Sequence, residues 1–125
     1  MQIIEAFGRI FISALFIIEA SRKLLFKEET IFYMEDYGVP EILFYPSLII
    51  ELVFPIFLIL GYKTKISAFV MFIFTIIVTI VFHNEFGNHM QLIALLKNLS
   101  IAGGLLIVAS NEPKGFSLDY YLKNK

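Results

Sequence analysis

Glu51 and Lys97 are the residues whose types and surroundings point most directly to chemistry. Glu51 stands inside Ile42–Leu60, an apolar run with no other charge, and Lys97 stands inside a second such run, Gln91–Ala109. A carboxylate or ammonium in hydrocarbon costs about 2.5–3.5 kcal/mol even on the lenient insertion scale. Such groups therefore face a protein interior and find partners there. Two roles fit the pair: a structural ion pair that fixes helix register, or part of a site for a ligand or a proton. Arg9, Glu19 and Lys23 extend the set. At about 100° per residue, Glu5, Arg9, Glu19 and Lys23 share one helical sector of roughly 80°. Glu5–Arg9 and Glu19–Lys23 are i,i+4 pairs in the favourable acid-first order, so the first segment presents a charged seam. His83, able to titrate near neutral pH, and Asn98, an interhelical hydrogen-bonding group, complete the candidates. His83 and His89 are six residues apart, the wrong spacing for two ligands on one helical face, and no metal site is expected.

These residues are positioned by four apolar segments. They run over about 4–25, 42–60, 66–82 and 91–109, each close to the roughly 20 residues that a membrane span needs. The first is the weakest, because it carries Glu5, Arg9, Glu19, Arg22 and Lys23. With no clean apolar region followed by a small-residue cleavage site, it reads as a retained span rather than a signal peptide. Gly61–Lys65 and His83–Met90 are short links, which make antiparallel neighbours. Gly61 is expected to stop one helix and Thr64 to cap the next. Thr75 and Thr79 are expected to bond back to their own helix. Pro55 leaves the Glu51 carbonyl without its helical partner. The long connection, Phe26–Glu41, mixes Lys27, Glu28, Glu29, Glu35 and Asp36 with Phe32, Tyr33 and Tyr37, and ends at Gly38 and Pro40. That pattern suits a short interfacial helix or lid. Counting 1.5 Å per residue, Glu51 lies roughly 14 Å and Lys97 roughly 9 Å inside their spans, both from the side of the long loop. Glu19, Arg22, Lys23 and His83 approach that same side.

Composition agrees. Of 125 residues 58% are hydrophobic, against about 45–50% for a soluble domain, and the mean hydropathy is +0.80. The formal net charge of −1 offers no basic surface for nucleic acid. There is no cysteine, so any redox role needs an external carrier or partner. Lys63, Lys65, Lys114, Lys123 and Lys125 lie on the side of both termini, against Arg22, Lys23 and Lys27 on the other. That bias places both termini in the cytoplasm.

At these positions the chain resembles the DoxX family of small membrane proteins. The matching pieces, in order, are Gly8-Arg9, Lys23-Leu24, Tyr37-Gly38-Val39-Pro40, Glu51-Leu52, Gly61 with Thr64-Lys65, Phe82-His83, Leu96-Lys97-Asn98-Leu99 with Gly103-Gly104, and Ser117-Leu118-Asp119. The chain departs from the family pattern at Glu19-Ala20 and Phe54-Pro55. The resemblance implies a four-helix membrane bundle and a link to redox chemistry, since relatives include a subunit of an archaeal thiosulfate:quinone oxidoreductase.

The expectation is therefore an all-α, single-domain integral membrane four-helix bundle, antiparallel and up-down, with a short interfacial helix or lid between its first two helices. Its expected role is an inner-membrane protein of a quinone-linked or thiol/sulfur redox assembly, as an oxidoreductase subunit if it is catalytic. In that reading Arg9, Glu51, His83 and Lys97 line the interior. Glu51 or His83 moves protons, and Lys97 or Lys23 holds an anion or a quinone carbonyl. The partners are the lipid bilayer, a redox partner protein and a second copy of the chain. The alternatives are a non-catalytic membrane scaffold and a small-solute carrier.

Overall fold

The protein is described here by a computed structural model covering residues 2–82, 87, 89–111 and 117–123. His83, Lys114 and Lys125 lie outside the described residues. Among the described residues six helices follow one another: α1 (Gln2–Leu25), α2 (Lys27–Asp36), α3 (Phe44–Leu60), α4 (Thr64–Phe82), α5 (His89–Ala109) and α6 (Leu118–Lys123), with a 3-10 turn over Glu41–Leu43. There is no strand among the described residues. In the apolar run 76–81 an open strand in lipid would leave its backbone groups unpaired, and the helix satisfies them within itself.

Glu41–Leu60, Thr64–Phe82 and His89–Ala109 are long and apolar enough to cross a membrane, with mean hydropathies of 2.3, 2.4 and 2.0. Ile49, Ile56, Ile66, Phe69, Ile77 and Ile107 stand exposed on their outer faces. A continuous apolar surface of this kind belongs against acyl chains. α1 has 24 residues, enough to span roughly 36 Å, but its charges keep it out of that set of three.

α1 packs on α3, α3 on α4 and α4 on α5, and α1 also touches α5. Two apolar clusters fill the interior. Phe16, Leu58, Ala68, Met71 and Leu105 form one. Ala20, Met34, Phe44 and Leu48 form the other, where α2 lies across the bundle. The second cluster marks the lid end. The connection expected to hold a short interfacial helix or lid does contain a helix, α2, followed by Gly38 at φ 80 and by Pro40. Thr75 Oγ1 donates to the Met71 carbonyl (2.8 Å) and Thr79 Oγ1 to the Thr75 carbonyl (2.7 Å).

The opposite end is a polar clamp. α3 stops at Gly61, which adopts φ 70, a left-handed conformation cheap only for glycine. The Gly61 N–H donates to the Leu58 carbonyl and the Tyr62 N–H to the Phe57 carbonyl, a Schellman closure. Arg9, 1% exposed, donates from Nη1 to the Leu58 carbonyl at 2.9 Å. Its guanidinium meets the last-turn carbonyls and the negative end of the α3 dipole. Glu5 Oε1 sits 3.4 Å from Arg9 Nε. Asp119 completes the clamp from the far end of the sequence. Its two carboxylate oxygens accept from the Lys63 and Thr64 N–H groups at 2.7 Å each, and its own N–H donates to the Gly61 carbonyl at 2.8 Å. This corrects the expected cap. Thr64 Oγ1 is buried with no hydrogen-bond partner among the described residues, and the α4 N-terminus is capped by Asp119.

Asp119→Ala is expected to lower stability by about 1–2 kcal/mol, the usual worth of a helix N-cap. Gly61→Ala is expected to cost more, because a methyl there would overlap Ser117 and come within 2.8 Å of Arg9 Nη1 at a positive φ. Thermal unfolding of the purified protein in detergent checks both.

Candidate functional site

Lys23 and Glu51 meet at the lid end. Lys23 Nζ lies 2.9 Å from Glu51 Oε2. The contact is an ion pair by distance. Lys23 Nζ also donates to Ser47 Oγ (3.3 Å) and lies 5.8 Å from the centre of the Phe74 ring. Lys23 comes from the last turn of α1, Ser47 and Glu51 from successive turns of α3, and Phe74 from α4. The long Lys stem can run along apolar surface while its charge seeks a polar group. Here it turns inward, because Glu51 is only 7% exposed and needs a counter-charge.

The pair forms part of the wall of a cavity of about 700 Å³. α1 contributes Glu19, Arg22 and Lys23, α3 contributes Ser47, Ile50 and Glu51, and α4 contributes Phe74, Ile77 and Val78. α2 roofs it with Thr30, Tyr33 and Met34. Most of the wall is apolar, with polar side chains contributed by α1, α2 and α3. This is the composition of a small-molecule site, an apolar body with a few orienting groups.

Three ties hold the roof down. Lys27 Nζ donates to the Tyr45 hydroxyl. Tyr33 stacks on Phe82 at 5.3 Å between centres. Gln91 Nε2 donates to the Tyr37 hydroxyl at 3.4 Å, which links α2 to α5. Burial, and then the neighbouring Tyr37 hydroxyl, push Tyr33 from its ordinary value of 10.0 up to about 12.

The expected convergence is therefore redrawn. Glu51 pairs with Lys23 and not with Lys97, which is exposed on α5. The anticipated Glu19–Lys23 pair does not form among the described residues, since Lys23 is turned to Glu51 and Glu19 is exposed. Arg9 is interior but belongs to the clamp at the other end. Asn98 is half-buried on α5, away from the cavity wall. His83 lies outside the described residues. Ser47 and Phe74 gave no sequence signal of their own. Asp119 had one, as part of the tail segment of the family pattern.

The DoxX family model matches residues 4–84, which include α1 through α4 and both members of the ion pair. The chain belongs to the DoxX family. The inner membrane protein YqjF of Escherichia coli (strain K12) is 30% identical to this DoxX protein over 118 residues, covering 94% of this chain and 91% of that one. No solved structure matches. Family membership and three span-length apolar helices make this DoxX chain a multi-pass membrane protein.

Lys23→Met is expected to destabilise the protein by about 3 kcal/mol, because it leaves a buried carboxylate unpaired. Lys23→Met combined with Glu51→Gln is expected to regain most of that loss, since neither charge is then stranded. Thermal unfolding of the three proteins checks the pattern. Tyr33 gives a pH prediction. A fold that favours its neutral form gains that stability in full below about pH 10 and loses it as the pH rises through about 12. In an ultraviolet titration, Tyr33→Phe should remove the last tyrosinate step to appear.

Proposed function

We propose that this protein is an inner-membrane subunit of a redox assembly and that its cavity binds a membrane-dissolved molecule of the quinone class. In this reading α1, α3, α4 and α5 are the four spans of an antiparallel bundle, α2 is an interfacial lid, and both termini face the cytoplasm. The observation that carries it is the Lys23–Glu51 ion pair in the wall of a mainly apolar cavity of about 700 Å³. The relative from Escherichia coli, named an inner membrane protein, supports the location.

The residues present fit such a ligand. Ile50, Ile77, Val78 and Val81 line the cavity and suit a ring and an isoprenoid tail. Lys23 Nζ and Ser47 Oγ lie together and suit a ring carbonyl. A bound quinone supplies two-electron carrier chemistry. The protein orients the ring through Lys23, keeps the tail in an apolar slot and offers Glu51 as a carboxylate that takes or returns a proton beside the ring. The chain has no cysteine, so any thiol chemistry lies on the partner protein.

A scaffold reading also has an observation in its favour. The Arg9–Gly61–Asp119 clamp uses charged groups, Arg9 and Asp119, to hold helix ends together. If the Lys23–Glu51 pair is of the same kind, the cavity binds nothing specific.

Titration of a short-chain quinone into protein in lipid nanodiscs separates the two. The quinone reading expects saturable binding, weakened by roughly tenfold or more in Lys23→Met, the equivalent of about 1.4 kcal/mol. Absence of saturable binding, with cellular function intact in Glu51→Gln, would leave the scaffold.

A further inference from the structure

α2 is tied over the cavity by Lys27–Tyr45, Tyr33–Phe82 and Gln91–Tyr37, whereas no described residue of α5 lines its side. α1 and α5 run antiparallel and touch where a methyl added at Gly104 would lie 3.4 Å from Ile12 Cδ1. Glu19 lies seven residues beyond Ile12, and Lys97 seven residues before Gly104. Seven residues rise roughly 10 Å and return to the same helix face within about 20°. Glu19 and Lys97 therefore sit at one level, on the faces that α1 and α5 turn toward each other. Both are nevertheless exposed, and neither makes an ion pair among the described residues. Leu15 on the same side of α1, and Ile93 and Ser100 on the same side of α5, are exposed as well. The two helices thus part above the Ile12–Gly104 contact and leave a slot. Glu19 and Arg22 belong both to the α1 wall of this slot and to the cavity lining, whereas no described residue of α5 lines the cavity.

We infer that this slot is a lateral portal by which a bilayer-dissolved molecule reaches the cavity, and that Glu19 and Lys97 are its latch. The form described here is open, with the two charges apart. In the closed form they pair. The force that closes it follows from their placement. Opposite charges at one level, surrounded by hydrocarbon, attract far more strongly than in water, and each alone is costly at that depth. Ser100 and the glycine pair Gly103-Gly104 put small side chains on the α5 side of the seam, which lets the helices approach. The inference rests on the proposed function only for the identity of what passes.

The chain has neither cysteine nor tryptophan, so both can be introduced as unique probes. Phe74→Trp places a fluorophore in the cavity wall. With Glu19→Cys and Lys97→Cys in the same protein, a short bis-maleimide is expected to link the two cysteines within one chain. In nanodiscs of acyl-chain-brominated phospholipid, the tryptophan should be quenched before cross-linking and should lose that quenching afterwards. The single-cysteine variants should keep it. Unchanged quenching after an intrachain link would overturn the portal. So would absence of any link, or links formed only between chains, which would instead assign the two charges to an interface between copies. Quenching needs no quinone, so the quinone reading is tested separately by adding a short-chain quinone to the open protein. If quenching responds to the link while quinone neither binds nor displaces brominated chains, the portal stands and the quinone assignment falls.

Discussion

The ion pair between Lys23 and Glu51 is the constraint on which the lid end is organised. A carboxylate at the depth of Glu51 cannot remain alone in a low-dielectric surrounding, and it draws the last turn of α1 against the early turns of α3. Once α1 is held there, Ala20 packs beside Phe44 and Leu48, and α2 must fold back over them through Met34. The cavity is what remains between α1, α3 and α4 beneath that roof. Such a pair is weak evidence for net stability, since both charges had to leave water. Its clearer effect is on register, because a sliding α1 would separate the charges while each stayed buried.

The two ends of the bundle differ in how many backbone groups their charged side chains engage. At the clamp, the α3 carbonyls, the α4 N–H groups, the Arg9 guanidinium and the Asp119 carboxylate are joined in a dense network. At the lid end, Lys23 has one ion pair, to Glu51, and a long hydrogen bond to Ser47. A closed network fixes one geometry. A looser one leaves donors and acceptors able to turn toward a ligand. The proposed ligand site lies at this second end.

Much of this was legible in the sequence, and for physical reasons. Apolar runs of span length, the glycine stop at Gly61 and the Gly38–Pro40 break are local signals, and the helices fall where those signals lie. Buried charge was legible from Glu51 alone. Its partner was not. Lys97 looked equivalent because depth along a helix is readable by counting, whereas the direction of a side chain around the bundle depends on how the helices pack. Lys23 sits close to a span end, where a lysine normally reaches outward, and only the tertiary position of α3 turns it inward. Asp119 was illegible as a cap for another reason. A helix cap is ordinarily sought next to its helix, and this one comes from 55 residues away in the chain.

That distance has a consequence for how the protein assembles. The α3–α4 turn emerges from the ribosome long before the residue that caps it, and α5 must be made and inserted in between. Until then the first N–H groups of α4 and the tight turn at Gly61 lack the carboxylate that holds them in the finished molecule. The helical hairpin is thus provisional during synthesis and is sealed only once α6 has been made, after α5.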